Sequence, residues 1–199
     1  MDNQLKIDDF DNIRGLKKER TMLELEHALL NTLREKPFSE IKINDIIRRA
    51  LISKQTFYNF CGSLNGLLDR IVDRRLKRWA VNTIDPQNWT GNCRERLRFT
   101  YVTLGKEIKQ EKHLWQNVSI SELSISRKEV LTNITKIFQE GQKAGQITKD
   151  FPAKALAWQL NTIQLALCLD WANDRISSNS LLLRQRQALD IFLGGIEIN

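Results

Sequence analysis

Between Ser53 and Cys61 the chain reads SKQTFYNFC, and the polar residues of this stretch share one chemistry. On a helix, Phe57 and Cys61 fall four apart and bury together, which turns Lys54, Gln55, Tyr58 and Asn59 outward. That outward face carries a cation, two amides and a phenol, and no carboxylate. Such a set can approach phosphates and hydrogen-bond to base edges. Gln55 and Asn59 are the base-reading candidates, with adenine the natural bidentate partner of an amide. Lys54, Thr56 and Tyr58 suit phosphate contacts, and Ser53 is a good N-cap. Lys42, near the start of the preceding helix, is a further backbone contact. The plain alternative is an ordinary polar helix face.

Catalytic chemistry has no comparable footing. The two histidines, His27 and His113, lie in no HxxxH pattern and near no close acidic or cysteine pair. There is no phosphate-binding glycine loop, no G-x-S-x-G and no catalytic pair. No enzyme, no metal site and no cofactor is expected.

The elements that must position Lys54–Asn59 are legible nearby. Ile43, Ile46, Ile47 and Ala50 follow the spacing of one buried helical face, so Lys42–Ala50 predicts a short helix before the turn at Leu51-Ile52. Upstream, a helix from about Lys17 to Lys36 carries Leu25, Ala28, Leu29, Thr32 and Leu33 on one face, and Pro37 stops it. Phe38 is expected to plug the small core beneath the helix pair. Downstream, Ser63 caps a longer helix with the stripe Leu64, Leu67, Leu68, Ile71, Val72, Leu76 and Trp79. Glycine and proline number only 9 and 3 in 199 residues, and helix formers abound, so the fold is all-α.

Asp85-Pro86-Gln87-Asn88 is the clearest linker. The expected organisation is a loosely ordered tail over residues 1–16, a three-helix DNA-binding domain with its linking helix over 17–82, and a larger helical domain over 83–199. In that second part, helices are expected over about Cys93–Lys112, Glu129–Ala144, Ala153–Asn173 and Leu181–Leu193, while Trp115–Leu123 is ambiguous. The helix from Ala153 carries Leu156, Leu160, Ile163, Leu167 and Trp171 on one side and Leu165 and Leu169 on another. One side can cover a core while the other meets a partner.

The net charge of +7 favours polyanionic partners in general. It is spread evenly, at +4 over residues 1–78 and +3 over 79–199, so only the face of Lys54–Asn59 marks the reading element. Arg70, Arg74, Arg75, Lys77 and Arg78 form a basic run whose simplest reading is a solvated helix face. The three cysteines stand in no CxxC pattern, and Cys61 and Cys168 read as small core residues, which fits a reducing compartment. The N-terminus lacks an apolar signal segment, and Ala155–Trp171 is too polar to span a bilayer, so the cytoplasm is expected and no membrane contact. Five tryptophans are many for this length. Packing is the expected role of Trp158 and Trp171, and Trp115 is a weak candidate for lining an effector pocket.

The block FSEIKINDIIRRALISKQTFYNFCGSLNGLLDRI resembles the DNA-binding domain of TetR-family transcriptional regulators. Asp45-Ile46, Ala50, Ile52-Ser53-Lys54, Thr56-Phe57-Tyr58, Ser63 and Leu67-Leu68 stand at matching positions of that family's motif. The resemblance covers roughly residues 17–80; beyond them it rests on the helical layout and the turn GQKAGQI. It departs at Lys42, where a capping threonine is common, at Phe60-Cys61, and at Leu64, where a lysine often begins the helix. It departs too at Leu51, which replaces the turn glycine, so that turn must either avoid a positive φ or store strain. The resemblance implies a three-helix helix-turn-helix domain joined by a long helix to a larger ligand-binding and dimerisation domain. It further implies a ligand-responsive repressor that binds double-stranded DNA at a near-palindromic operator. The partner would be a second copy, met through Ala153–Asn173 and Leu181–Leu193, and a small-molecule effector would bind the C-terminal domain. The alternatives are an activator, a ligand-independent regulator, or a helical protein-binding adaptor with a relic helix-turn-helix.

Overall fold

The computed structural model describes residues 2–84, 91–118 and 124–198 of the chain. Among them run nine α-helices: α1 (Asp2–Glu35), α2 (Ile43–Ala50), α3 (Lys54–Cys61), α4 (Leu64–Ile84), α5 (Cys93–Gln110), α6 (Lys112–Trp115), α7 (Ser124–Lys143), α8 (Ala153–Ala172) and α9 (Ser178–Gly194). One 3-10 turn spans Phe38–Glu40. The only pairing of extended backbone among the described residues is a single antiparallel bridge between Ile147 and Glu197. The chain divides into two compact units, Met1–Ile71 and Val72–Asn199, and the division falls inside α4. The linker at Asp85–Asn88 lies outside the described residues, as does Trp89.

In the first unit the stripes close as their spacing requires. Leu25, Ala28, Leu29, Thr32 and Leu33 of α1 are buried, with Ile46 and Ala50 of α2, Phe57 and Cys61 of α3, and Leu67, Leu68 and Ile71 of α4. Ile43 and Ile47 are half-buried. The chain is helical from Asp2, and residues 2–16 lie in α1. One expectation is corrected. Phe38 is only half-buried, and Ile41 fills the core instead, because the 3-10 turn rotates Phe38 toward the surface.

The turn between α2 and α3 stores strain. Leu51 sits at φ 54°, ψ 39°, and its side chain is 92% exposed, so no packing offsets the left-handed backbone. Leu51→Gly relieves roughly 1–2 kcal/mol of left-handed strain against roughly 0.5–1 kcal/mol of added unfolded-state entropy. The expected result is a net stabilisation of about 0.5–1 kcal/mol, read as a higher urea midpoint. A lowered midpoint would mean that Leu51 makes a stabilising contact.

In the second unit α5, α7, α8 and α9 enclose a core. Leu97, Tyr101, Leu104 and Ile108 of α5 meet Val130, Ile134, Ile137 and Phe138 of α7, with Leu181, Leu189 and Leu193 of α9. Gly105 allows α9 to approach α5, since a Cβ there would collide with Gln185 Oε1. Gly145, at φ 72°, turns the chain after α7. Gln146 then accepts the Cys93 backbone N–H at 2.9 Å through its side-chain oxygen. Arg94 ties α5 to the C-terminal segment through Glu197 at 2.5 Å and Asp190 at 2.7 Å.

The faces of α8 differ from those read off its leucines. Its buried face centres on Ala157, Asn161, Gln164, Cys168 and Ala172, flanked by Leu156, Leu160, Leu165, Leu169 and Trp171. Ile163 is exposed and Leu167 half-buried. Small and polar residues thus line the middle of the core face, and Gln164 is accommodated by donating to the Gln185 carbonyl at 2.9 Å. Trp171 is packed as expected, but Trp158, one residue past the buried line, is 52% exposed.

Candidate nucleic-acid interface

The helix pair α2–α3 is built to hold one face of α3 outward. Ser53, in extended backbone at φ −75°, accepts the Thr56 backbone N–H through its hydroxyl at 3.0 Å, which caps α3. The Ser53 and Thr56 hydroxyls also share a hydrogen bond of 2.8 Å. Phe57 is fully buried, and Tyr58 stands edge-on to it with ring centroids 5.8 Å apart. The Phe57 anchor therefore sets the direction in which Tyr58 projects.

Each sequence-predicted residue of α3 can be placed. Lys54, Gln55, Tyr58 and Asn59 are exposed, and Thr56 is half-buried against its cap. The pairs Lys54/Tyr58 and Gln55/Asn59 are each four apart, so they form one ribbon along the helix. No acidic residue stands in the first turn of α3.

Lys42 precedes α2 in extended backbone, exposed, and its side chain caps nothing. The loss of a capping hydroxyl is offset from the other side, since Asp45 accepts the Lys42 backbone N–H at 2.9 Å. Asp45 also takes the Lys36 ammonium at 2.6 Å, and that hydrogen bond is the largest cause holding its carboxyl below the usual carboxylate range.

Ion pairing sorts the basic residues of this unit. Arg48 pairs with Asp45 at 3.4 Å, and Arg49 with Glu35 at 2.7 Å. Lys42 and Lys54 have no carboxylate partner among the described residues. A cation already paired must give up that partner to meet a phosphate, so Lys42 and Lys54 are the better placed. In the basic run of α4, Lys77 pairs with Asp73 at 3.0 Å and Arg75 with Glu111 at 3.7 Å.

Asn44, in the first turn of α2, is exposed and lines an open groove with Ile47, Arg48 and Ile52. Trp115, the weak effector candidate, is buried at the end of α6 against a cleft of the second unit. His27 and His113 are exposed, and no group of metal-binding side chains occurs among the described residues. Burial pushes the Cys93 and Cys168 thiols up to about 12 and raises Cys61 as well, so none is an activated nucleophile. No helix among the described residues is long and apolar enough to cross a membrane.

No family model matches the chain, and no curated protein matches it. Solved structures do. A protein from Syntrophomonas wolfei described as a TetR-family transcriptional regulator superposes with a TM-score of 0.75 over 90% of this chain and 97% of its own, at 18% identity. A TetR-family regulator from Pectobacterium atrosepticum gives 0.74 over 92% and 97%, at 14% identity. FadR from Thermus thermophilus, a TetR-family repressor solved with lauroyl-CoA, gives 0.70 over 92% and 96%, at 18% identity. Over nine-tenths of its length, and at a sequence identity low enough to mark wide divergence, this chain has the fold of the TetR-family transcriptional regulators.

Proposed function

We propose that the chain is a DNA-binding transcriptional regulator, a ligand-responsive repressor that acts as a homodimer on a near-palindromic operator. The observation that carries this reading is the capped, carboxylate-free ribbon of Lys54, Gln55, Tyr58 and Asn59, with Lys42 exposed and lacking a carboxylate partner among the described residues. Gln55 and Asn59 would read bases; Lys42, Ser53, Lys54, Thr56 and Tyr58 would hold the phosphates, with Asn44 beside them. Two such helices would enter successive major grooves about one helical turn, ~34 Å, apart.

The second copy would be met through α8 and α9. Support comes from apolar side chains left at the surface of both helices: Trp158 and Ile163 on α8, Leu183 and Ile191 on α9. Response to a ligand is supported by the lauroyl-CoA bound to the Thermus thermophilus repressor of like fold. A regulator of this kind would work in the cytoplasm. An adaptor that binds protein through a relic helix-turn-helix has one feature in its favour, the exposed Leu51.

The test is selection of genomic DNA fragments by the purified protein, followed by footprinting. The expected result is a short set of fragments sharing an inverted repeat, bound with steep salt dependence. Binding without sequence preference, or none, would replace the regulator with the adaptor.

A further inference from the structure

The excess charge of residues 79–199 is concentrated in one stretch. Their net is +3, and all of it falls in residues 124–154, which carry six Lys+Arg against three Asp+Glu. α7 spans most of that stretch. It buries Val130, Ile134, Ile137 and Phe138, which turns its opposite side outward. Lys128, Thr132, Lys136, Gln139 and Lys143 occupy that side, and all five are exposed. At 3.6 residues per turn the three lysines fall within about 80° of one another, with Thr132 and Gln139 between them.

None of the three ammonium groups has a carboxylate partner among the described residues. Glu140, on the flank of this face, is engaged by Arg96 of α5. Thr132 donates its hydroxyl hydrogen to the Lys128 carbonyl at 2.8 Å, so the lysines are left as the outward donors with the Gln139 amide. At a rise of 1.5 Å per residue they stand roughly 12 Å and 10 Å apart along the helix. That is about three nucleotides of one DNA strand at ~3.4 Å each.

The composition of the face selects among polyanions. A helix that lies on a membrane brings an apolar side to it, and here the apolar side is spent on the core. The buried centre of a protein interface favours aromatic side chains and excludes lysine. Contact with a phosphate backbone needs only point charges and amide donors at intervals, and these are what the face supplies. We propose that the outward face of α7 is a second nucleic-acid interface, which holds duplex DNA by its phosphates through Lys128, Lys136 and Lys143 and reads no sequence. This interface goes beyond operator recognition by α3 and does not depend on it. Its role is to raise affinity for any duplex, which keeps the protein on DNA between specific sites.

The test is fluorescence anisotropy of the full chain with a duplex of arbitrary sequence, titrated over a range of potassium chloride. The variant with Lys128→Gln, Lys136→Gln and Lys143→Gln is expected to lose about 2–3 from the slope of log affinity against log salt. The same three positions changed to arginine should keep the parent slope, since charge is retained. Gln55→Ala should leave this slope unchanged, because no base is read. A parent that does not bind the duplex, an unchanged slope in the glutamine variant, or a slope lost equally in the arginine variant overturns the second interface. So does tighter α7-dependent binding to phosphatidylglycerol vesicles than to the duplex, which would make this a membrane face. Operator selection is a separate readout: its failure defeats the regulator reading, while the salt slopes still judge α7.

Discussion

Replacing Phe57 with alanine is expected to abolish operator binding by unfolding the reading head while leaving the second unit folded. Phe57 is fully buried beneath α3, and its ring sets the position of Tyr58. Truncating a buried phenylalanine costs about 3–5 kcal/mol in lost transfer energy and cavity formation. The first unit has 71 residues, so its total stability lies toward the lower end of roughly 5–15 kcal/mol for a domain. The substitution thus removes most of the margin, and a fall in Tm of roughly 12 °C or more follows for that unit. Circular dichroism during urea titration should show two separated transitions in the variant, the first moved to low urea. A single unshifted transition would mean that Phe57 does not anchor α3.

Ile163→Glu combined with Ile191→Glu is expected to split the proposed homodimer. Ile163 on α8 and Ile191 on α9 are 40% and 79% exposed in the single chain, so each substitution costs the isolated fold little. At a two-fold interface every substitution occurs twice. An unpaired carboxylate buried there costs about 3 kcal/mol or more, and the double variant brings four of them to the interface, a loss of about 12 kcal/mol that leaves no measurable association. Light scattering at micromolar protein should give the monomer mass for the variant and twice that for the parent. Operator affinity should fall with it, because one reading head then binds a half-site alone. A parent that is itself a monomer would rule out the α8–α9 dimer.

The legible parts of the molecule were those in which hydrophobicity and burial coincide. Ile46, Ala50, Phe57, Cys61, Leu67 and Ile71 are apolar at helical spacing and lie in the core, so α2, α3 and the start of α4 could be located within a residue. Ser53 was equally plain, since an N-cap is a local event between a hydroxyl and the backbone two or three residues on. What failed to show was set by tertiary neighbours. The middle of the core face of α8 is Ala157, Asn161, Gln164, Cys168 and Ala172, and no leucine count points there. Gln164 is buried because a carbonyl on α9 receives its amide, and that carbonyl belongs to a residue 21 positions away. The sequence allows two conformations at Leu51, because only the folded helix pair decides whether the turn goes left-handed. The sequence places Lys42 and Lys54 among the candidate contacts and leaves out Arg48 and Arg49; the folded chain adds a physical reason, since Arg48 and Arg49 are paired with Asp45 and Glu35.

Titration of the selected operator with the parent and with Gln55→Ala at one fixed salt concentration tests the central claim most directly. Gln55 is exposed on α3, so the variant should keep its helicity and the proposed dimer. Loss of an amide that reads a base costs about 1–3 kcal/mol per reading head. The expected result is a weakening of at least tenfold, unequal among operators that differ at the contacted base pair, with the salt slope preserved. Parent-like affinity on every operator sequence would contradict the claim that α3 reads DNA.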